Sequence, residues 1–323
     1  MTAPSPHTRD RAPDRASDRA SDRASDRASD RPGERTGRTG AARAATRDVT
    51  VVVASRDRRE ELLASLPRHE APVVLVDNGS SDGTAAAVRE RVPDVDVVAL
   101  PANLGAAART LGARRASTRY VAFADDDSWW APGALARAVR LLDASPRAAL
   151  LAARILVGPQ ERLDGLCAQM ARSPLGTEPD LPGPSLLGFV ACGAVVRRDA
   201  FLAVGGFDDV VVFPGEEERV ALDLAAAGWG LAYVDELVVH HHPSPARDDP
   251  ARRRARITRA GLLTALMRRP WRVVAARARA AWAGGDAGRA GLRTALPDAA
   301  RALRARRRLP ARVEAAARLL GQG

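Results

Sequence analysis

The chain has 323 residues, 46% of them apolar, which is enough to bury one sizeable core and excludes disorder throughout. Its net charge of +11 is uneven: Arg against Asp plus Glu runs 10 to 7 over residues 1–46, 20 to 27 over 47–245, and 20 to 5 over 246–323. Every basic residue is Arg, which beside the Ala-rich composition points to a GC-rich genome rather than to phosphate or nucleic-acid binding. Cys167 and Cys192 are too few for a disulfide framework or a Cys-based zinc site, and they fit a reducing cytosol. The N-terminus carries charge from Arg9 onward and lacks the apolar stretch of a secretory signal. The longest uncharged apolar run, Leu186 to Val196, is well short of the roughly 20 residues that span a bilayer.

Residues 14–31 repeat Asp-Arg-Ala-Ser, a low-complexity tract with nothing to bury that is expected to stay disordered. Val49 to Ala54 is a β-branched run without polar breaks, as in a strand covered on both faces. The spacing then predicts a helix over Glu60 to Leu66, a strand over Val73 to Val76, a helix over Thr84 to Arg91 and a strand over Val95 to Leu100. A helix over Ala106 to Ala116, a strand over Tyr120 to Ala124 and a helix over Pro132 to Leu142 continue the alternation. That order predicts a doubly wound, mostly parallel sheet flanked by helices. After residue 145 the pattern loosens, and Pro and Gly spread through 158–188 read as loops shaping a substrate pocket. A strand over Phe189 to Val196, a helix over Glu218 to Ala227 and a strand over Ala232 to His240 close the unit, and Arg-rich helices follow Pro250.

Open parallel sheets bind ligands at the carboxyl ends of their strands, and three strand ends here are polar. The second strand runs into Asp77-Asn78-Gly79-Ser80-Ser81-Asp82-Gly83-Thr84. There Asp82 or Thr84 suits the cap of the next helix. A well-made turn accounts for those residues and leaves Asp77 unexplained. The fourth strand runs into Asp125-Asp126-Asp127. Three adjacent carboxylates repel one another unless a cation neutralises them, and hard oxygen ligands suit Mg²⁺ or Mn²⁺. Asp125 and Asp127 point to one side if the chain stays extended; a solvated acidic turn is the alternative. His240-His241-His242 follow another apolar strand, and a neutral imidazole can complete a divalent-metal shell. His240, taken as the strand's last residue, is the first choice, with His242 on the same face.

These motifs, in this order over about 47–245, resemble family 2 glycosyltransferases of the GT-A fold. Ser55-Arg56-Asp57-Arg58-Arg59 looks like the family's polar turn after its first strand, which brings Ser55 and Arg58 to the donor. Asp77 resembles the acid that contacts the nucleotide base. Asn103-Leu104-Gly105 followed by Arg109 is similar to the family's Asn-x-Gly…Arg segment, and Asp125-Asp126-Asp127 falls on its metal-binding Asp-x-Asp, with Asp126 on the nucleotide side. Gly193 to Arg198 with Val204 to Asp208 resembles the acceptor-side segment. Glu216-Glu217, ahead of Gly228-Trp229, falls on the family's Glu-Asp, whose second acid is the catalytic base. Two departures stand out: Thr110 where the family often has Asn, and Glu217 where Asp is usual.

The resemblance implies an inverting transfer from a nucleotide diphosphate sugar to a hydroxyl acceptor (a glycan, a lipid-linked compound or a small molecule) in cell-envelope or other glycan synthesis. Glu217, with Glu216 as second choice, is the expected base. Asp125, Asp127 and His240 are the expected ligands of Mn²⁺ or Mg²⁺. Glu216 to Glu218 also suit a helix N-terminus on electrostatic grounds alone. The expected organisation is a disordered tail over 1–46, a catalytic unit over 47–245 and a basic helical appendage over 246–323. A sugar nucleotidyltransferase is disfavoured by the absence of Gly from Ser55 to Arg59. A GT-A-fold binding protein without turnover stays open. The Arg-rich tail lacks any zinc or helix-turn-helix signature, so no specific nucleic-acid partner is expected. Trp271, Val274, Ala275, Ala278 and Trp282 form one helical stripe, suited either to an anionic membrane surface or to packing on the catalytic unit. The expected location is cytoplasmic, with peripheral attachment to the inner face of the cell membrane.

Overall fold

The computed structural model describes residues 46–244 and 249–321. The Asp-Arg-Ala-Ser repeat and the boundary expected at 245 lie outside the described residues. The amino-terminal half alternates as the sequence pattern requires: β1 (Val49–Ser55), α1 (Arg59–Ser65), β2 (Val73–Asp77), α2 (Thr84–Arg91), β3 (Asp96–Ala99), α3 (Ala107–Arg115) and β4 (Tyr120–Ala124). β5 (Ser128–Trp130), α4 (Ala134–Ala144), β6 (Ala148–Val157), β7 (Arg162–Leu163), α5 (Gly165–Ala171), β8 (Ala194–Arg197) and α6 (Arg198–Ala203) come next. The chain ends with α7 (Glu217–Ala226), β9 (Gly230–His241) and four helices, α8 (Pro250–Arg268), α9 (Trp271–Ala283), α10 (Gly285–Arg304) and α11 (Ala311–Leu319).

The nine strands among the described residues join one sheet in the order β3-β2-β1-β4-β8-β6-β9-β5, with β7 paired to β6. Strands β3, β2, β1 and β4 are mutually parallel. β8 runs antiparallel to both β4 and β6, β9 lies parallel to β6, and β5 is antiparallel to β9. Every residue of β2 and β4 is buried. Each Val, Leu or Phe so enclosed contributes about 1.5–3 kcal/mol of apolar burial. α3 approaches β1 closely because Gly112 leaves no room for a Cβ against the Val52 side chain.

Three differences from the sequence expectation have physical causes. β6 occupies a stretch read as the start of loosened structure: its Ala-rich sequence, AALLAARILV, carries no strand signature of its own and is held by β8 and β9 on either side. The strand expected from Phe189 begins only at Ala194, after a 3₁₀ turn over Ala191–Gly193. Within 158–188, expected as loops, α5 forms behind an Asp164 cap whose carboxylate accepts the Leu166 N–H.

The carboxy-terminal helices share core with the rest of the molecule. Val210 and Val211 pack with Ala260, Leu262, Leu263 and Met267 of α8. Leu187 and Leu222 pack with Val313 and Ala317 of α11. Charge pairing joins the same surfaces. Asp223 of α7 accepts from Arg268 of α8 at 2.9 Å, and Arg269, fully buried, donates to Glu314 of α11 at 2.8 Å.

Candidate active site

Site residues collect where β1, β2 and β4 end. Asn78 orders the neighbouring loop: its Oδ1 accepts the Leu104 N–H at 2.7 Å and its Nδ2 donates to the Gly105 carbonyl at 3.1 Å. Asn103 closes that loop by accepting the Gly105 N–H at 2.8 Å, with Gly105 at φ 59°. Gly79 stands at φ 78°, where an added Cβ would lie 2.9 Å from the backbone of Ala102. Glycine meets both demands without strain. Asp77, buried at the end of β2, accepts the Ser80 N–H at 3.1 Å. Asp57, at φ 53°, accepts the Ser81 N–H at 2.7 Å and so ties the loop after β1 to the loop after β2. Asp82 accepts the Thr84 N–H at 2.9 Å just ahead of α2, but the cap position itself is Gly83, at φ 80°, and no side chain caps the helix.

The three aspartates diverge because the chain leaves β4 in a tight turn, closed by the Ser128 N–H on the Asp125 carbonyl at 3.3 Å. Asp126 turns towards β1, where Ser55 Oγ donates to it at 2.6 Å and Arg58 Nε lies at 3.4 Å. Burial is the largest influence on its carboxyl and, with the fields of Asp125 and Asp127, raises it to about 6 against the Ser55 hydrogen bond. Asp125 and Asp127 share a region with His241, one ligand atom from each lying within 4.8 Å of the others. His241 Nε2 is 3.2 Å from Asp127 Oδ1. The Ser244 N–H donates to the other Asp127 oxygen at 3.2 Å. β5 builds this arrangement: it pairs with β9 so that Ser128 stands opposite His241, and Ser128 Oγ accepts the Asp125 N–H at 2.8 Å.

The expectation for His240 is corrected here. β9 runs one residue further than expected, to His241, and alternation from buried Leu237 and Val239 puts His241 on the face that meets Asp127. His240 sits on the opposite side, 2.9 Å from Glu161 and stacked on Trp129 with ring centroids 5.5 Å apart. His242, expected to share the face of His240, also packs against Trp129, edge-on at 4.8 Å.

Arg109, on α3 and nearly enclosed, joins two parts of the site. One guanidinium nitrogen donates to Asp125 and another lies 3.6 Å from Glu216. Glu216 is 1% exposed and neither carboxylate oxygen has a hydrogen-bond partner among the described residues. Burial, and next the adjacent Glu217, push its carboxyl far above the ordinary range, with Arg109 opposing. Glu217 opens α7, is half-buried and is one of the residues lining a cavity. Burial raises it too, against backbone N–H donors, including that of Ala191, and against Arg109. The next residue, Glu218, accepts from Arg277 of α9 at 2.6 Å and 3.0 Å. Thr110 is buried and donates to the Phe207 carbonyl at 2.8 Å, so it fastens α3 to the loop before α7.

The structure thus brings Ser55, Arg58 and Asp126 together, and it brings Asp125, Arg109 and Glu216 together. Asp77, Asn103 and Gly105 lie on the loops linked through Asn78. Ser128 and Trp129 carry no signal in the sequence and depend on the β5–β9 pairing; Asn78 directly follows Asp77, and His241 lies within the His240-His241-His242 run.

Carboxylates at the carboxyl ends of a parallel half-sheet are thus joined through the buried Arg109 to Glu216 at a helix start. The family model for Glycosyl transferase family 2 matches residues 38–205, more than half of the sequence. The chain belongs to that family. It is 32% identical over 242 residues to the N-acetylglucosaminyl-diphospho-decaprenol L-rhamnosyltransferase of Mycobacterium tuberculosis, a match covering 63% of this chain and 78% of the relative. It is 33% identical over 225 residues to the pre-mycofactocin glycosyltransferase of the same organism, covering 64% of this chain and 45% of that longer relative. Among solved structures, the mannosyltransferase PcManGT from Pyrobaculum calidifontis, in complex with GDP-Man and Mn²⁺, superposes with a TM-score of 0.52 at 22% identity, over 90% of this chain and 89% of that one. That likeness establishes the GT-A-like fold. The chain is a glycosyltransferase of the class that takes sugars from nucleotide-sugar donors.

Proposed function

We propose that the chain is an inverting glycosyltransferase whose Glu217 takes the proton of an acceptor hydroxyl while Asp125, Asp127 and His241 hold a divalent cation, Mn²⁺ or Mg²⁺. The observation that carries this reading is the Arg109 bridge. One buried guanidinium contacts Asp125 of the cation-type group and Glu216, the neighbour of the base. Two carboxylates and an imidazole, with ligand atoms within 4.8 Å of one another, suit such an ion. When bound, the cation supplies Lewis-acid stabilisation of the departing nucleoside diphosphate.

The acceptor oxygen attacks the anomeric carbon as its proton passes to Glu217, and the diphosphate leaves with the bonding pair, so the configuration inverts in one displacement. Glu216, held against Arg109, sets the position of Glu217 without meeting the substrate. Ser55, Arg58 and Asp126, with Asp77, Asn103, Gly105 and Arg109, line the donor side. The catalytic unit is read as 47–245, with the basic helices of 246–323 as its accessory region. The relative named for a diphospho-decaprenol acceptor favours a lipid-linked acceptor and a role in cell-envelope glycan synthesis.

A panel of UDP, GDP and dTDP sugars with Mn²⁺ tests the donor reading. At a free concentration 100 times Kd, the correct donor is expected to stabilise the fold by about 2.7 kcal/mol, seen as a rise in Tm, and to hydrolyse slowly. Stabilisation without any hydrolysis would favour a binding protein; no stabilisation by any donor would remove the reading.

The helical region supports peripheral attachment at the cytoplasmic face of the membrane. No helix among the described residues is long and apolar enough to cross one. The stripe through Trp271 and Trp282 is largely left open: these residues are 59% and 67% exposed, and α9 buries Val273 and Ala281 instead. Arg272 and Arg279 flank the open stripe and are exposed. Aromatic residues among arginines suit an anionic headgroup interface. The protein is expected to sediment with anionic vesicles and not with neutral ones, and Trp271→Ser with Trp282→Ser is expected to release it. Equal recovery in the supernatant with both vesicle types would remove this reading.

A further inference from the structure

Glu217 is the first residue of α7, and the start of a helix is its least firmly held part, because the leading N–H groups have no partner within it. No side chain caps α7, so its first turn is held from elsewhere in the chain. Successive helix residues turn by about 100°, and the acids here leave in different directions. Glu216 faces Arg109, whereas Glu218 faces the carboxy-terminal helices. Glu217 and Glu218 line a cavity of about 710 Å³ whose opposite walls are α8, α9 and the first residues of α10.

Arg277 of α9 reaches across this cavity to the first turn of α7. Its two terminal nitrogens donate to the two oxygens of Glu218 at 2.6 Å and 3.0 Å. Such a paired fork sets orientation as well as distance. The same guanidinium donates to the Gly261 carbonyl of α8 at 2.7 Å. Gly261 gives it the room: an added Cβ would lie 3.3 Å from Arg277 Nη1. Glycine inside a helix costs stability relative to alanine, and the seat of the guanidinium gives this one a reason. Behind the pair, the buried Arg269 holds a guanidinium nitrogen 3.9 Å from Glu218, and that nitrogen has no hydrogen-bond partner among the described residues.

Attachment of the helices has other sources. Asp223, further along α7, accepts from Arg268, and Leu222 packs with Val313 and Ala317 of α11. Val210 and Val211 pack on α8. What Arg277 adds is a hold on the first turn, one residue from the base. We infer that Arg277 is a positioning residue for sugar transfer, acting through Glu218 to keep the Glu217 carboxylate where it meets the acceptor hydroxyl. This inference rests on the reading of Glu217 as the base and deepens it. It makes α9, far from the site in sequence, part of the arrangement that aims the base.

Hydrolysis of the UDP, GDP or dTDP sugar that most raises Tm, with Mn²⁺ present and water as the acceptor, tests this in the full chain. Arg277→Ala is expected to lower kcat at least tenfold, while the donor KM stays within threefold and the circular dichroism matches that of the parent chain. Millimolar guanidinium chloride is expected to raise that kcat several-fold, since the ion can enter the open cavity and pair with Glu218; a protein that had only lost stability would be weakened further by it. Glu218→Gln is expected to show the same split between kcat and KM, and the double variant to lose no more than the worse single one, as two residues in one interaction should. Arg277→Lys, which keeps the charge without the fork, is expected to fall between the parent and Arg277→Ala, and it carries the test if Arg277→Ala does not fold. Parent-like kcat in the folded variants, a loss that guanidinium does not relieve, or losses that add in full would each overturn the inference. Glu217→Gln, assayed beside them, separates the two readings. If it hydrolyses the donor normally, the base reading fails and takes this inference with it; if it is impaired while Arg277→Ala and Arg277→Lys are not, the positioning role alone is removed.

Discussion

Glu217→Gln is expected to lower sugar transfer by about 10²–10⁴-fold, the range for losing a positioned general base, while affinity for donor and Mn²⁺ stays within twofold. The amide keeps the shape of the side chain and its backbone N–H contacts, so the loss reports basicity. Glu216 supplies the contrast. Its buried carboxylate has no hydrogen-bond partner among the described residues and faces Arg109 at 3.6 Å, so Glu216→Gln weakens the hold on Arg109 and acts through position. It is expected to reduce transfer less than Glu217→Gln does. Normal turnover in Glu217→Gln beside a dead Glu216→Gln would move the base one residue back. Full activity in both would end the general-base assignment and leave these acids as a helix start.

The pH dependence follows from the direction of the Glu217 shift. Burial raises its carboxyl above the usual range. A base works only when deprotonated, so activity is lost as pH falls through that raised value. The acid limb of kcat is therefore expected at a higher pH than an exposed glutamate would give, and it should disappear from the residual activity of Glu217→Gln. A limb that persists unchanged in the variant belongs to another group.

The legibility of the molecule in its sequence follows how local each signal is. β1, β2 and β4 are β-branched or aromatic runs that announce strands by themselves. The acids after β2 and β4 could be found because they directly follow such runs. β6 could not, because its alanines and arginine have no strand preference and its identity comes from two neighbours distant in sequence. The choice among three histidines failed for a related reason. In β9 the pairing with β6 shifts between Ala153 opposite Val234 and Arg154 opposite Val238. That irregularity, with exposed Asp235 and Glu236 inside it, is invisible in a pattern of apolar residues. The bridge from Arg109 to Glu216 and the cavity wall from α8 and α9 are tertiary facts with no local trace. Thr110 and Glu217, the two departures from the family pattern, read differently in the fold. Thr110 makes a structural hydrogen bond to Phe207, and the Glu217 carboxylate is buried where backbone N–H groups, including that of Ala191, and Arg109 favour its charged form.

Asp127→Ala is expected to lower Mn²⁺ affinity by at least about 10²-fold, at the upper end of what loss of even a supporting residue costs a metal site, and to abolish Mn²⁺-dependent donor binding. The fold should survive, because Asp127 lies in the turn between β4 and β5 and is not part of the apolar core. Its carboxylate does have structural partners, the Ser244 N–H and His241, so a modest fall in Tm is expected without loss of the native circular dichroism. Asp127→Asn separates the two roles. The amide retains an oxygen that accepts the Ser244 N–H, yet it removes the charge that the cation needs, so Tm should recover while Mn²⁺ affinity stays low. His241→Ala is expected to weaken Mn²⁺ binding and His240→Ala to leave it unchanged, since His240 is engaged by Glu161 and Trp129 on the other side of β9. Parent-like Mn²⁺ affinity in a folded Asp127→Ala protein would remove the cation from this site. Weakening by His240→Ala with none by His241→Ala would instead show that the face of β9 meeting Asp127 is not the one that meets the metal.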